Sequence, residues 1–307
     1  MNPLRGILFK LASVSMFITM ASLIKATADH VPPGQAVFFR SFFAIPVILV
    51  WLWLRRDLST GLRVASPMGH FWRGFVGTSA MGLGFAGLGL LPLPEVTAIG
   101  YAAPLLTVVF AAMFLGEEVR AFRLAAVFLG LVGVAVVLGP RLTVFSGDTI
   151  ETAAAFGAML VLMGAVCAAL AQIYVRKMVQ TEQTSAIVFY FSLTSTLLSL
   201  LTIPFGWVMP APTEAGLLVV AGILGGLGQI FLTSAYRYAA ASVVAPIDYA
   251  SMVMAIGIGY FVFSEIPTLQ MLAGAALIIL AGVLIIWREQ ALGLRREKAR
   301  QGITPQG

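Results

Sequence analysis

The chain has 307 residues, of which 60% are apolar and 10% are charged, whereas an ordinary soluble domain carries about 25% charged residues. So few charges cannot cover so large an apolar mass, and the mean hydropathy of +0.97 predicts a protein that lies mostly in lipid. The single cysteine, Cys167, excludes an internal disulfide framework. His30 and His70 stand far apart without a carboxylate pattern, so we expect no metal site and no cofactor.

The apolar residues are arranged in segments that are long enough to cross a bilayer. About 20 apolar residues cross as a helix, because each residue rises about 1.5 Å through a core of roughly 30 Å. Short proline-containing breaks separate the segments, and no stretch is long enough for a soluble domain. The sequence therefore predicts an all-α polytopic membrane protein with ten spans: 6–26, 35–54, 71–91, 96–115, 122–138, 153–175, 185–207, 215–238, 242–263 and 269–287.

The net charge of +6 has two possible explanations. A basic balance can indicate nucleic-acid binding, but membrane proteins concentrate Lys and Arg in their cytoplasmic loops. With the N-terminus inside, 16 of the 19 basic residues fall in inside segments. We therefore predict no nucleic-acid partner, a lipid bilayer around the spans, and both termini in the cytoplasm.

Two stretches of equal length indicate an internal repeat. Residues 94–118 and 241–265 are both rich in small apolar residues, and Glu118 at the end of the first corresponds to Glu265 at the end of the second. Ten spans divide into five and five, and an odd number inverts the second half relative to the first. We predict a first five-helix repeat (1–146), a second, inverted repeat (147–290) around a central cavity, and a basic cytoplasmic tail (291–307).

Short motifs in both halves resemble a known family. They are LGEE (Leu115–Glu118) after a span containing Pro104, FSE (Phe263–Glu265) after ASVVAPIDY, and the small-residue helix MLAGAALIILAGVLII. With these motifs the whole chain resembles the drug/metabolite transporter superfamily, in its ten-helix EamA family. It is most similar there to bacterial amino-acid and metabolite exporters of the YddG type. The resemblance implies a location in the bacterial inner membrane and a central cavity bordered by the fourth and ninth helices. The second half departs from the first, since Ser251 stands where the first half has Pro104.

Ionisable residues inside spans are costly in lipid and usually face protein or water. Asp248 lies in the ninth span, where it could contact a substrate or pair with another helix. Arg40 lies in the second span, and three roles stay open for it: to extend to the surface, to pair with Asp248 or a helix end, or to attract an anionic substrate group. Lys10 is expected to extend to the cytoplasmic surface.

Neutral polar and aromatic side chains within the spans suit a zwitterionic or amphipathic solute. Interhelical hydrogen bonding is the alternative role for each of them. Glycines cluster in the third and eighth spans, where they indicate either moving helices or static close packing. We expect Arg40, Pro104, Glu118 and Glu265 to have gate or structural roles. The candidate substrate-binding residues are Ser13, Thr78, Ser79, Met81, Tyr101, Gln172, Gln229, Thr233, Tyr236, Asp248 and Tyr249.

The sequence contains no catalytic constellation such as HExxH and no phosphate-binding GxxxxGK[ST] loop. We therefore predict no catalytic residues and no enzyme activity. The predicted function is secondary transport by alternating access, with export of amino acids or related small amphipathic metabolites. An importer or exchanger of a nucleoside-, sugar- or S-adenosylmethionine-like metabolite is the alternative, and a channel or a membrane-embedded enzyme is further removed. Substrate identity, proton coupling and oligomeric state stay open.

Overall fold

The computed structural model describes residues 3–58, 60–115, 121–142, 149–178, 181–238 and 245–303. Within these ranges the chain is all-helical, and its α-helices form ten rods because two rods are each built from two consecutive helices. Two short 3₁₀ helices, Ile203–Phe205 and Ala245–Tyr249, complete the described elements. The α-helices are α1 (Pro3–Lys25), α2 (Pro33–Phe42), α3 (Ala44–Leu54), α4 (Pro67–Leu88), α5 (Leu93–Gly100), α6 (Ala102–Leu115), α7 (Ala121–Leu142), α8 (Thr149–Met178), α9 (Thr184–Leu200), α10 (Pro212–Tyr238), α11 (Ala250–Phe263) and α12 (Leu269–Ile303).

The ten rods confirm the predicted spans, with ends that differ by a few residues except at α9, which ends earlier than predicted at Leu200, and α12, which continues beyond the predicted span to Ile303. By length and composition, five helices of the described chain can cross a membrane: 4–25, 33–54, 93–114, 152–175 and 212–232. Four shorter apolar helices cover 124–140, 184–200, 247–263 and 269–285. Helix α4, which carries His70 and Arg73 near its start, belongs to neither group. The protein is therefore a polytopic membrane protein.

Proline interrupts the second and fourth rods at equivalent points. Helix α2 ends before Phe43, three residues ahead of Pro46, and α5 ends before Tyr101, three residues ahead of Pro104. A proline ring lacks an N–H and clashes with the carbonyl four residues earlier, so the helix breaks ahead of it. The ninth rod begins irregularly as well, with the 3₁₀ helix Ala245–Tyr249 before α11. Such breaks expose backbone polar groups inside the bundle.

Packing between helices follows a reciprocal pattern. Helix α1 packs along α10, and α4 packs along α8. In each pair the first helix of one predicted half contacts the third helix of the other half. Helices α7 and α12, the fifth of each half, pack on each other. A two-fold relation between the halves would produce these pairs, and the inverted repeat stays a prediction.

Loops that the predicted topology places on one face meet in the structure. The Glu182 carboxylate, between α8 and α9, accepts hydrogen bonds from the backbone N–H groups of Ala65 and Ser66, just ahead of α4. At the other end of the bundle, Gln35 near the start of α2 bonds Val208 in the segment between α9 and α10. The alternation of loops between two faces agrees with the structure, and the assignment of the cytoplasmic face stays a prediction.

A glycine in α10 provides a test of close helix packing. A Cβ atom at Gly222 would lie 2.5 Å from Phe43 Cβ and 2.8 Å from the Phe39 carbonyl oxygen, so Gly222→Ala should lower the free energy of unfolding by about 1–3 kcal/mol. Gly216 on the same helix has no such neighbour within 4 Å, and Gly216→Ala should instead add about 0.5–1 kcal/mol. Unfolding of both variants in detergent tests this, and equal effects would contradict static packing at Gly222.

Candidate functional site

The irregular backbones of the fourth and ninth rods meet inside the bundle. Tyr101 Oη, at the break between α5 and α6, lies 3.0 Å from the carbonyl oxygen of Asp248. The Ser251 Oγ atom lies 2.5 Å from Tyr101 Oη and 2.7 Å from the same carbonyl. Tyr101 and Asp248 are 147 positions apart, which is the offset that relates Glu118 to Glu265. Equivalent positions of the two predicted repeats are therefore in contact.

The Asp248 carboxylate forms an ion pair with a lysine from the first rod. Lys10 Nζ lies 2.7 Å from Asp248 Oδ1, and the side chains are 3% and 46% exposed. The prediction that Lys10 extends to the surface is therefore wrong, because the lysine is buried against this carboxylate. The suggested pairing of Arg40 with Asp248 is also wrong. The partly uncovered Asp248 is the more accessible member of the pair.

Aromatic rings complete this region, which we call the Tyr101–Asp248 centre (Tyr101, Asp248, Tyr249 and Ser251, with Lys10). The rings of Tyr101 and Tyr249 pack at a centroid distance of 5.3 Å. Tyr249 is accommodated by a glycine of α12, because a Cβ at Gly282 would lie 1.3 Å from the Tyr249 hydroxyl. The centre thus combines a carboxylate, an ammonium group and three hydroxyls beside an apolar wall. Such a mixture can orient a polar group of a small amphipathic molecule.

A second ion pair joins the other end of α1 to the segment after α11. Lys25 Nζ lies 2.9 Å from Glu265 Oε1 and donates to the carbonyl oxygens of Leu88 and Leu91. Glu265 Oε2 accepts from the Leu93 backbone N–H at 2.9 Å. The pair therefore fastens the end of α1, the loop between α4 and α5, and the end of the ninth rod. This is a suitable arrangement for the gate role that we predict for Glu265.

Two arginines lie in the bundle against one phenylalanine of α9. The guanidinium carbon of Arg40 is 5.5 Å from the Phe191 ring centroid, and that of Arg73 is 3.5 Å away. The Nε and Nη1 atoms of both side chains are buried without a hydrogen-bond partner. Arg40 is only 3% exposed, so it does not extend to the surface. Arg73, which is one of the 16 basic residues assigned to inside segments, lies on α4 with a buried guanidinium.

Several of the remaining candidates bridge helices. Ser13 Oγ donates to the Gly228 carbonyl at 2.8 Å, and Thr78 Oγ1 lies 2.7 Å from Ser195 Oγ. These contacts match the interhelical alternative. Ser79 bonds the Phe75 carbonyl of its own helix at 3.0 Å. The structure thus assigns Ser13 and Thr78 helix–helix contacts, which leaves their binding role a prediction.

The other candidates are dispersed over the bundle. Met81 is half-buried and packs against an apolar cluster, Gln229 is half-buried beside Ile48, and Gln172 and Pro104 are exposed. Thr233 and Tyr236 lie on α10, with side chains outside the described part of the structure, and Glu118 lies outside the described residues. Among the predicted binding residues whose side chains the structure describes, it brings together Tyr101, Asp248 and Tyr249.

An apolar cavity of about 250 Å³ opens between α1, α2, α4 and α8. Its walls include Ile24, Val31, Phe85, Ala86 and Leu160. None of the candidate side chains that the structure describes lines it. The cavity is therefore separate from the Tyr101–Asp248 centre, and the side chains named in its walls are apolar.

Glu182 occupies a loop cluster at the end of the bundle where α4 begins. Burial by itself raises the pKa of its carboxyl. Hydrogen bonds from Ser66 and Ala65 and the neighbouring His70 ring lower the pKa by more than burial raises it, so it lies below its usual value. His70 Nε2 is 3.5 Å from Glu182 Oε2, and both side chains are buried. The carboxylate therefore satisfies backbone N–H groups at the start of α4, which is a structural role.

Sequence reasoning missed Arg73, Phe191 and the partners of Lys10 and Lys25. Arg73 lies six residues after Pro67 and four before Gly77. A helix that begins at Pro67 places Arg73 one to two turns inside it, and this spacing is a signal that could have identified the residue. Phe191 is one of 21 phenylalanines, and nothing in its local sequence distinguishes it. The two lysine pairs join residues that are distant in the chain, which no local pattern shows.

Comparison with known proteins agrees with this architecture. The chain is 33% identical over 282 residues to the Pseudopaline exporter CntI of Pseudomonas aeruginosa, covering 90% of this chain and 94% of the relative. It is 28% identical over 266 residues to an S-adenosylmethionine uptake transporter of Rickettsia felis, covering 87% of each. A crystal structure with 22% identity and a TM-score of 0.66 covers 94% of this chain and 98% of its own, and it supports the fold.

The model of the EamA-like transporter family matches residues 4–139 and 155–287, which together cover most of the chain. The resemblance drawn from the short motifs is therefore confirmed. The relatives are transporters, so the protein is not an enzyme. The chain is a multi-pass membrane transporter and belongs to the EamA-like transporter family.

Proposed function

We propose that this transporter exports amino acids or related small amphipathic metabolites across the bacterial inner membrane by alternating access. The observation that carries the proposal is the Tyr101–Asp248 centre, where two interrupted rods present polar groups inside the bundle. Transporters place substrate sites at such interruptions because unwound backbone is tolerated only where it lines a cavity or is buried in protein. The relative named as an exporter favours the outward direction.

Alternating access requires contacts that break at one end of the bundle while those at the other end hold. Two ion pairs have suitable positions, because Lys10 lies in the first half of α1, Lys25 is its last residue, and both join α1 to the ninth rod or the segment after it. Rocking of the two halves would break one pair and retain the other. In this scheme Glu265 lies at one gate, and Glu118 lies at the other by the repeat offset.

Flux measurements in proteoliposomes test the proposal directly. Purified protein is reconstituted and offered a panel of labelled amino acids and other metabolites, loaded inside or outside, with and without a pH gradient. Tyr101→Phe removes only the hydroxyl that contacts the Asp248 carbonyl and Ser251. We expect it to lower flux about tenfold, which corresponds to one lost hydrogen bond of about 1.4 kcal/mol.

Tyr260→Phe is the matched control, because Tyr260 is 53% exposed on α11 and does not belong to the Tyr101–Asp248 centre, and its flux should equal that of the unmodified protein. Two results would count against the proposal: no panel solute moved by the folded protein, or a Tyr101→Phe variant as active as the control.

Uptake is the second candidate function, and a specific comparison favours it. One relative is named as an uptake transporter for S-adenosylmethionine. The same liposomes test the direction of transport. Flux in liposomes can be assigned to export or import in the cell only when the orientation of the protein in the cell membrane is known. Labelling of the termini by impermeant reagents in intact cells supplies that orientation, and we expect both termini to be cytoplasmic.

A further inference from the structure

The arginine pair Arg40–Arg73 holds positive charge inside the bundle without a matching negative charge. Arg40 lies on α2 and Arg73 on α4, and both guanidinium groups lie over the same Phe191 ring. Among the residues that the structure describes, neither arginine forms an ion pair. Buried charges in proteins are normally paired, and unpaired buried donors are rare. A pair of like charges with free donors therefore needs an explanation.

The pair is tightly enclosed and its donors are unused. Glycines lie against both arginines, since a Cβ at Gly77 would lie 3.0 Å from Arg73 Nη1 and a Cβ at Gly225 would lie 3.1 Å from Arg40 Nε. The Ser41 hydroxyl, next to Arg40 in the chain, is also buried without a partner. Buried donors without partners suit a group that accepts hydrogen bonds and enters when the helices move apart.

The pair also lies between the two predicted halves of the protein. Arg40 and Arg73 belong to the first half, whereas Phe191, on which both guanidiniums rest, belongs to α9 of the second half. Helices α2 and α9 pack directly on each other. A rocking motion of the halves would separate the guanidiniums from the ring and open the space between them.

We propose that Arg40 and Arg73 bind a carboxylate-bearing part of the transported substrate, so that the substrate is a small organic anion or a zwitterion with excess carboxylate. This inference rests on the proposed function and specifies its substrate class. Guanidinium groups are suited to carboxylates, because their planar donors match the two oxygens and the bonds are charge-assisted. Exclusion of water between the helices strengthens the attraction.

Thermal unfolding of the purified full-length protein in neutral detergent tests the site apart from transport. The probes are citrate, glutamate, leucine and inorganic phosphate, each added to the unmodified protein and to Arg40→Met, Arg73→Met and the double variant. Citrate and glutamate should raise the Tm of the unmodified protein by several degrees at saturation, and leucine should raise it less. Each single substitution should weaken carboxylate binding about tenfold or more.

A purely structural role for the arginines predicts a different result without any probe. If the pair awaits an anion, the double Met variant should have a Tm equal to or above that of the unmodified protein, because two buried like charges are removed. If the pair is structural, the variant should lose Tm and retain the response to citrate. Arg55→Met is the matched control, since Arg55 also lies over an aromatic ring, Trp51 at 5.0 Å, but is exposed.

Three outcomes would overturn the proposal: no carboxylate response in the unmodified protein, a response to phosphate alone, or equal carboxylate responses in the double variant and the unmodified protein. Added phosphatidylglycerol that raises Tm as citrate does, and abolishes the citrate effect, would assign the pair to lipid and overturn it as well. Flux in liposomes separates the two ideas. Flux of leucine without glutamate supports transport and overturns the anion site, whereas an arginine-dependent citrate response without any flux supports the site and contradicts the proposed function.

Discussion

Replacing Asp248 with Asn should lower the free energy of unfolding by about 3 kcal/mol, the largest effect that we expect from a single substitution. Lys10 is 3% exposed and lies 2.7 Å from the carboxylate, so the variant leaves an ammonium group buried beside a neutral amide. Removing one member of a buried pair typically costs about 3–5 kcal/mol, because the remaining buried charge has lost this partner.

Replacing Lys10, the other member of the pair, should lower the free energy of unfolding by less. Lys10→Met leaves a carboxylate whose side chain is 46% exposed and therefore less enclosed than Lys10, so we expect a loss of about 1 kcal/mol. The double variant, Lys10→Met with Asp248→Asn, should recover at least about 2 kcal/mol relative to Asp248→Asn alone. Unfolding in detergent of the four proteins gives the coupling energy directly.

The control for this cycle is Asp29→Asn, which makes the same chemical change at an exposed position after α1. It should change the free energy of unfolding by less than about 0.5 kcal/mol. If the effects of Lys10→Met and Asp248→Asn simply add in the double variant, the ion pair is not an energetic unit. The gating scheme would then lose one of its two contacts.

Replacing Glu265 with Gln should weaken one closed end of the transporter. The Lys25 and Glu265 side chains are 14% and 15% exposed, so both are less buried than the Lys10 side chain. We therefore expect Glu265→Gln to lower the free energy of unfolding by about 2 kcal/mol. If the ion pair forms only in the conformation that is closed at this end, its loss raises the population of the open conformation more than tenfold, since about 1.4 kcal/mol corresponds to a factor of ten.

A cysteine reporter measures this opening. In a Cys167→Ser background, Ala28→Cys places a thiol at the wall of the apolar cavity next to Gly89. Glu265→Gln should increase its rate of labelling by an impermeant thiol reagent about tenfold. Glu214→Gln is the control, because Glu214 pairs with His30 at 2.9 Å without touching the ninth rod, and its effect should stay below about threefold. Equal rates in both variants would remove Glu265 from the gate.

Local sequence patterns were sufficient for the elements of the fold but only partly for the site. Pro46 and Pro104 break the helix ahead of them, as proline generally does. The rod nevertheless continues beyond each break, as α3 and α6. Asp248 and Tyr101 were recognised as candidates because polar groups in apolar spans are costly. Their mutual contact depends on the crossing of two rods. Lys10 was misjudged because a flexible side chain near a helix end usually reaches water.

Hydropathy by itself determined the membrane location and the number of spans, because every crossing needs a run of apolar residues that no tertiary contact can replace. The short motifs were enough to identify the family. Only the tertiary structure decided that Lys10 pairs with Asp248, that Lys25 pairs with Glu265, and that Arg40 and Arg73 share Phe191. The physical reason is that charges in a bundle find their partners through space, and the packing of distant helices sets those distances.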